Sequence, residues 1–349
     1  MRMAFYPAIA SLLLVCCTVV AGDSGNKWTI SKRLVPAPMG ASEVLRNAII
    51  ATPAPDVRQR LKNFEKIDWG AMKRARAASR TFPLSDLGKY LNVEIRSDEI
   101  NGVKVHHVIP SEIDPKFNNA LFLYLHGGAY VFGAGDNSVS EAAVISNTSK
   151  IRALSVDYRM PPADPFPAAV DDVVTVYRHV LKTTAAKSIA IGGTSAGGGL
   201  SLAAVHQFIS LNLDVPGAIY AGTPWSDLTK TGDTLYTNEG LDRILVTYDG
   251  LLKAAALLYA DGNDLKNPLL SPVYGSFDKF PPTYLVTGTR DLFLSDTVRV
   301  HRKLRTAGIV ADLNVYEALS HAGYVYNPAS PESQQTYGEM REFLRTHLQ

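Results

Sequence analysis

The stretch Ser188-Ile-Ala-Ile-Gly-Gly-Thr-Ser-Ala-Gly197 decides the fold. It reads as a short apolar strand, a tight turn and the start of a helix, and it holds G-x-S-x-G as Gly193, Ser195 and Gly197. Exposing a serine hydroxyl at a sheet edge needs a sharp, strained turn, where only glycine neighbours avoid clashes. The helix that follows aims its free N–H groups and its dipole at the same point, which favours developing negative charge. Gly192, Gly193, Gly197, Gly198 and Gly199 do not fit G-x-G-x-x-G, and no Walker A pattern occurs, so a nucleotide-binding fold is disfavoured.

On either side of this stretch strand and helix signals alternate. β-rich runs occur at Leu91–Ile95, Val103–Ile109, Leu121–Leu125, Ile151–Val156, Ser188–Ile191, Ala218–Ala221, Thr283–Thr287 and Leu313–Tyr316. Several are continuous apolar runs, as strands covered on both faces require. Val170, Val173, Val174, Tyr177 and Leu181 fall at helical spacing within 168–182, and 196–211 is apolar almost all round, so it predicts a buried helix. The pattern predicts an α/β fold, a mostly parallel sheet of about eight strands with helices on both faces and ligands beyond the carboxyl ends of the strands. Residues 23–88 read as helix and loop, with helices over 42–50 and 56–78; residues 225–272 interrupt the alternation with one helix over 247–259. Both stretches are expected to form cap elements of a single domain, 22–349. The run Lys73-Arg74-Ala-Arg76 is read as a solvated helix face.

The chain has 349 residues, 46% of them hydrophobic, and a net charge of +2, which excludes a mainly disordered chain and gives no basic excess for binding nucleic acid. After Arg2, an uncharged apolar segment ends in Val19-Val20-Ala21 before Gly22. That is the layout of a signal peptide over residues 1–21, so the protein is expected to be exported, periplasmic or secreted. An uncleaved anchor over 3–22, or lipid attachment at Cys16 or Cys17, are the alternatives. Cys16 and Cys17 are the only cysteines, so a chain cut at that point has no disulfide framework, thiol nucleophile or cysteine metal site.

His126-Gly127-Gly128-Ala129 directly follows an apolar strand. Acyl transfer needs donors where a carbonyl oxygen becomes an oxyanion. The N–H groups of Gly127 and Gly128 suit that task, with Ala196, next after the serine, as a further donor; His126 is expected to brace the loop. Serine also needs a base. His106 and His107 are neighbours in a strand and point to opposite faces, so a shared metal site is disfavoured. His179, His206 and His301 lie in helix patterns, and His347 is nearly terminal. His321 follows the last strand, in a loop at its carboxyl end. Asp291 follows the strand 283–287 in the same way, while Asp296 reads as a helix cap. The order is Ser195, Asp291, His321.

These motifs resemble the hormone-sensitive-lipase-like family of α/β-hydrolases, with further matches at Asp157-Tyr-Arg159, Pro165-Phe-Pro-Ala-Ala-Val-Asp-Asp172, Pro224-Trp-Ser-Asp-Leu228 and Asn267-Pro-Leu-Leu-Ser-Pro272. The resemblance runs from about residue 90 to 349. It implies an α/β-hydrolase fold with a helical cap, Ser195 as nucleophile, His321 as base, Asp291 as acid, and no metal or organic cofactor. It also implies a serine carboxylesterase acting on small-molecule esters with short to medium acyl chains. A lactonase or deacetylase of one small molecule would use the same triad, and a ligand-binding pseudoenzyme would retain the fold alone. Ala129 stands where a third glycine is usual, Met160-Pro-Pro-Ala163 lacks a common glutamate, and Gly323 stands where an aromatic is common, a role open to Tyr324. Tyr130, Trp225, Phe293 and Tyr324 adjoin motif residues and are candidates for a substrate pocket, with core packing an equal account. The oligomeric state is left open.

Overall fold

Alternation along each strand gives the sheet two buried faces. Leu123 and Leu125 pack into one apolar cluster, and Phe122 and Tyr124 into the other, because successive side chains of a strand point to opposite faces. The structure, a computed structural model, describes residues 34–62, 67–78 and 83–349. The chain divides after Pro36, and the architecture below is that of residues 37–349. The expected signal segment, residues 1–21, lies outside the described residues. Among the described residues no helix is long and apolar enough to cross a membrane.

The strands are β1 (Val93–Ile100), β2 (Val103–Pro110), β3 (Leu121–Leu125), β4 (Arg152–Asp157), β5 (Ile189–Thr194), β6 (Ala218–Gly222), β7 (Thr283–Gly288) and β8 (Ala311–Tyr316). They form one eight-stranded sheet in the order β1-β2-β4-β3-β5-β6-β7-β8. β2 runs antiparallel to both neighbours, and every other pair is parallel. The expected mostly parallel α/β sheet is therefore present.

The helices are α1 (Glu43–Ala51), α2 (Val57–Lys62), α3 (Trp69–Ala78), α4 (Leu84–Tyr90), α5 (Ser140–Ser149), α6 (Ala168–Val180), α7 (Ala196–Ser210), α8 (Thr234–Thr237), α9 (Lys253–Ala260), α10 (Leu294–Thr306) and α11 (Pro331–His347). α6, α7, α9 and α10 pack on one face of the sheet, α5 and α11 on the other. Two helix expectations change. The helix read over 56–78 appears as α2 and α3, with 63–66 outside the described residues; the Asp68 side chain starts α3 afresh by accepting the Ala71 N–H at 2.8 Å. The helix read over 247–259 begins with a wide turn at Tyr248–Leu252, non-helical at Asp249 and Gly250, before α9. α5 and α11 were not anticipated. α11 carries a start signal, Ser330-Pro331, whose serine accepts the Ser333 N–H at 3.2 Å.

Arg74 and Arg76 are exposed, as a solvated helix face requires, while Lys73 is half-buried. Lys73 Nζ donates to Pro161 O at 2.9 Å, and the Arg76 guanidinium lies 4.6 Å over the Phe132 ring. Long basic stems cover apolar surface while the charge keeps a polar or π partner. α3 is thereby applied to the loop that follows β3.

Candidate active site

β5 runs straight into Ser195, which adopts φ 64° and ψ −123°. A non-glycine residue in such a conformation costs of order 1–3 kcal/mol and persists only when its surroundings over-determine it. Here Ser195 N donates to Gly222 O at 2.8 Å, and Ser195 O accepts from Gly199 N and Trp225 N, each at 3.0 Å. The flanking glycines answer to close backbone approach: a Cβ on Gly193 or Gly197 would lie 1.9 Å from Leu125 O. α7 starts at Ala196. The turn therefore sits between the ends of β3 and β6, and Ser195 is half-buried where most of its surroundings are closed.

Asp291 and His321 come together from the loops after β7 and β8. His321 Nδ1 lies 3.1 Å from Asp291 Oδ1 and 2.9 Å from Thr223 Oγ1. Asp291 is fully buried and accepts Phe293 N at 2.8 Å and Thr287 Oγ1 at 2.9 Å. A carboxylate only accepts, so Nδ1 carries the proton, and the tautomer this selects in a neutral ring has its lone pair on Nε2. The imidazole reaches the serine turn by two routes. Thr223 follows Gly222, the acceptor of Ser195 N. Phe293 stands edge-on to His321 at 4.8 Å and stacks on Trp225 at 5.4 Å, and Trp225 N holds Ser195 O. No hydrogen bond joins Ser195 Oγ to His321 Nε2 in this structure. Such bonds often tighten only when substrate is bound.

The loop after β3 lies against the serine. A Cβ on Gly127 would meet Thr194 O at 2.8 Å and Ser195 Cβ at 3.4 Å. Gly128, Ala129 and Tyr130 all have positive φ, at 121°, 55° and 60°. Ala129 thus occupies a left-handed position that glycine adopts without cost, which explains why a third glycine suits it. Gly127, Gly128 and Ala129 are half-buried beside the half-buried Ser195. His126 is a brace: it stacks on Tyr158 at 4.0 Å, donates Nδ1–H to Gly127 O at 2.8 Å, and its own carbonyl accepts Tyr158 Oη at 2.7 Å. Burial lowers its pKa to about 4, so the ring is neutral.

The four aromatic pocket candidates are interior residues. Tyr130 stacks on Tyr259 at 4.2 Å, Trp225 stacks on Phe293, and all four are at most 1% exposed. Asp296 is not the helix cap expected. α10 begins two residues earlier, and the Asp296 carboxylate turns inward to accept Ser226 N at 3.1 Å and Asp227 N at 3.0 Å. His106 and His107 point apart, to Ser97 and Asp98. Among the described residues no three His, Cys, Asp or Glu side chains are grouped to hold a metal ion.

Two carboxylates beside the site escaped the sequence reading. Glu141, buried in α5, accepts Thr194 Oγ1 at 2.6 Å, Tyr124 Oη at 2.9 Å, Tyr220 Oη at 3.0 Å and Tyr337 Oη at 3.1 Å. Tyr324 Oη closes the network at 3.0 Å from Thr194 Oγ1 and 2.8 Å from Tyr220 Oη. Burial raises the pKa of Glu141, opposed by its hydroxyl donors. Asp242 is fully buried and bonds to both the Asp291 and His321 loops. Neither belongs to a motif; only the rule that buried polar groups find partners points to them.

A family model described as "alpha/beta hydrolase fold" matches residues 122–325. An acetyl-hydrolase of Streptomyces hygroscopicus is 29% identical over 246 residues, covering 70% of this chain and 82% of the relative. The crystal structure of an esterase E25 superposes with a TM-score of 0.89 at 47% identity, covering 93% of this chain and 100% of that one. The crystal structure of an esterase from the bacterial hormone-sensitive lipase family gives 0.68 at 29% identity, covering 83% and 99%.

Proposed function

Because this chain belongs to the alpha/beta hydrolase fold family, we propose that it is a serine carboxylesterase acting on small-molecule esters with short to medium acyl chains. Ser195 is the nucleophile, His321 the base and Asp291 the residue that orients the imidazole. Ser195 Oγ attacks the ester carbonyl carbon as its proton passes to His321 Nε2. The N–H groups of Gly127, Gly128 and Ala196 receive the oxyanion, where preorganised donors act most strongly. The intermediate collapses as His321 gives that proton to the leaving alcohol, and an acyl-enzyme remains. Water then attacks the acyl carbon, His321 takes the water proton and returns it to Ser195 Oγ, and the acid departs.

The observation that carries this reading is the bond from His321 Nδ1 to a fully buried Asp291 carboxylate, at 3.1 Å. Buried in this way, the carboxylate fixes the tautomer that leaves Nε2 basic and stabilises the imidazolium once it forms. The relatives named esterase and acetyl-hydrolase agree with it. The test is a panel of p-nitrophenyl esters from acetate to palmitate with wild type and Ser195→Ala. Hydrolysis confined to the shorter acyl chains and abolished in the variant is expected. Equal rates in the variant would overturn the assignment, and a preference for lactones or for one acetylated compound would replace the substrate class. A wild-type serine that neither turns over nor labels with a fluorophosphonate would indicate a binding protein.

A further inference from the structure

The stretch 234–243, between β6 and β7, is bonded to the two loops that carry the acid and the base. Thr234 Oγ1 donates to Leu292 O at 2.8 Å, and Asn238 Nδ2 donates to Asp291 O at 2.8 Å. Arg243 N donates to Ser320 Oγ at 3.1 Å. Asp242 is the residue of this stretch whose side chain holds both loops: its Oδ2 accepts Leu292 N at 2.9 Å and His321 N at 3.3 Å. Its Oδ1 closes a local turn by accepting Ile244 N at 2.8 Å and Leu245 N at 3.1 Å. Four main-chain donors thus use the full acceptor capacity of one buried carboxylate. A side chain with fewer acceptors leaves a buried N–H unpaired.

We propose that Asp242 is a positioning residue for the reaction, tying the residue after Asp291 to the main chain of His321 so that acid and base keep their separation. The inference rests on the reading of His321 as the base. The titratable groups acting on Asp242 are Asp291, His321 and Tyr326, while the guanidinium groups of its neighbour Arg243 and of Arg290 act on one another. Burial and the Asp291 charge raise the proton affinity of Asp242, opposed by His321 and by its main-chain donors. The geometry explains why the side chain is an aspartate. Asparagine offers one oxygen and one NH2, so one of the two donor pairs would face hydrogens.

The test compares wild type with Asp242→Asn, using p-nitrophenyl butyrate with rates per site titrated by a fluorophosphonate. A fall in kcat of roughly 10- to 100-fold at nearly unchanged KM is expected, since small misplacements of a catalytic group are costly. The acid limb of kcat/KM is expected to move down, because an imidazolium no longer held at its distance from Asp291 is less stabilised. A merely structural Asp242 would lower Tm and the number of titratable sites but leave the rate per site and the acid limb in place, and that result overturns the proposal. Should Asp242→Asn fail to fold, amide exchange in the wild-type protein decides. The Leu292 and His321 amides should be protected at neutral pH and lose protection together on acidification, and independent behaviour overturns the tie. His321→Ala tests the underlying assignment separately: full activity in that variant removes the base, whatever Asp242→Asn shows.

Discussion

Gly127→Ala perturbs the proposed oxyanion cradle with a single methyl group. The added Cβ would lie 2.8 Å from Thr194 O and 3.4 Å from Ser195 Cβ. Thr194 O belongs to the main chain of β5 and cannot swing aside. Restoring an ordinary contact of 3.4 Å therefore needs a shift of about 0.6 Å in a closely packed region. Gly127 does not have a positive φ, so the backbone itself accepts alanine. The shift falls on the Gly127 N–H or on Ser195, and hydrogen bonds weaken over a few tenths of an ångström. Loss of one donor costs roughly 10²–10³ in kcat, or about 2.7–4 kcal/mol of barrier. KM should change far less, because the donors act on the oxyanion more than on the ground-state carbonyl. The assay is hydrolysis of p-nitrophenyl butyrate at mildly alkaline pH, normalised to fluorophosphonate-titrated sites. A kcat within about threefold of wild type, in a variant that folds normally, would refute the placement of Gly127 in the cradle.

Other variants test the surroundings. Glu141→Gln leaves at least one of the hydroxyls of Tyr124, Thr194, Tyr220 and Tyr337 facing an NH2 group; a stability loss of about 1–3 kcal/mol by urea unfolding is expected, and no loss would contradict the network. The His126 pKa, lowered to about 4 against an ordinary ~6.5, supplies stability that is present above the unfolded value and lost as pH falls through the folded one. That amounts to about 3 kcal/mol between those limits, seen as a flatter Tm-versus-pH slope in His126→Asn than in wild type; equal slopes would show the ring is not held neutral. The variant difference is the quantity to read, because the buried carboxylates of Asp242, Asp296 and Glu141, with raised pKa values, gain on acidification and oppose the trend. Gly338→Ala in α11 meets nothing within 4 Å. It should raise stability by about 0.5–1 kcal/mol without touching activity, which also shows that a glycine-to-alanine change is not harmful in itself.

The residues that were legible in the sequence share a local signal. Ser195, Asp291, Gly127 and Gly128 each follow an apolar strand within a few residues, and His321 follows the mixed strand β8, in loops at the carboxyl ends of the strands. The strand pattern was legible because both faces of the sheet are covered, so β3, β5, β6 and β7 appear as largely apolar runs. Glu141 and Asp242 were not legible, because their partners come from elements far apart in the chain. Thr194, Tyr220 and Tyr337 meet Glu141 only after β5, β6 and α11 are assembled. The aromatics beside the motifs were open to two accounts for a related reason. Proximity in sequence to Ser195 or His321 does not say on which side of the loop a ring points, and Tyr130, Trp225, Phe293 and Tyr324 all point inward.

The central claim is that Ser195 Oγ is made nucleophilic by His321 held on Asp291. Its most direct test is fluorophosphonate labelling followed by intact-mass measurement and peptide mapping, in wild type, Ser195→Ala and His321→Ala. The account predicts one adduct per chain, on Ser195, absent in the first variant and formed far more slowly in the second. An adduct on another residue, or labelling of Ser195 that proceeds at the wild-type rate without His321, would contradict it.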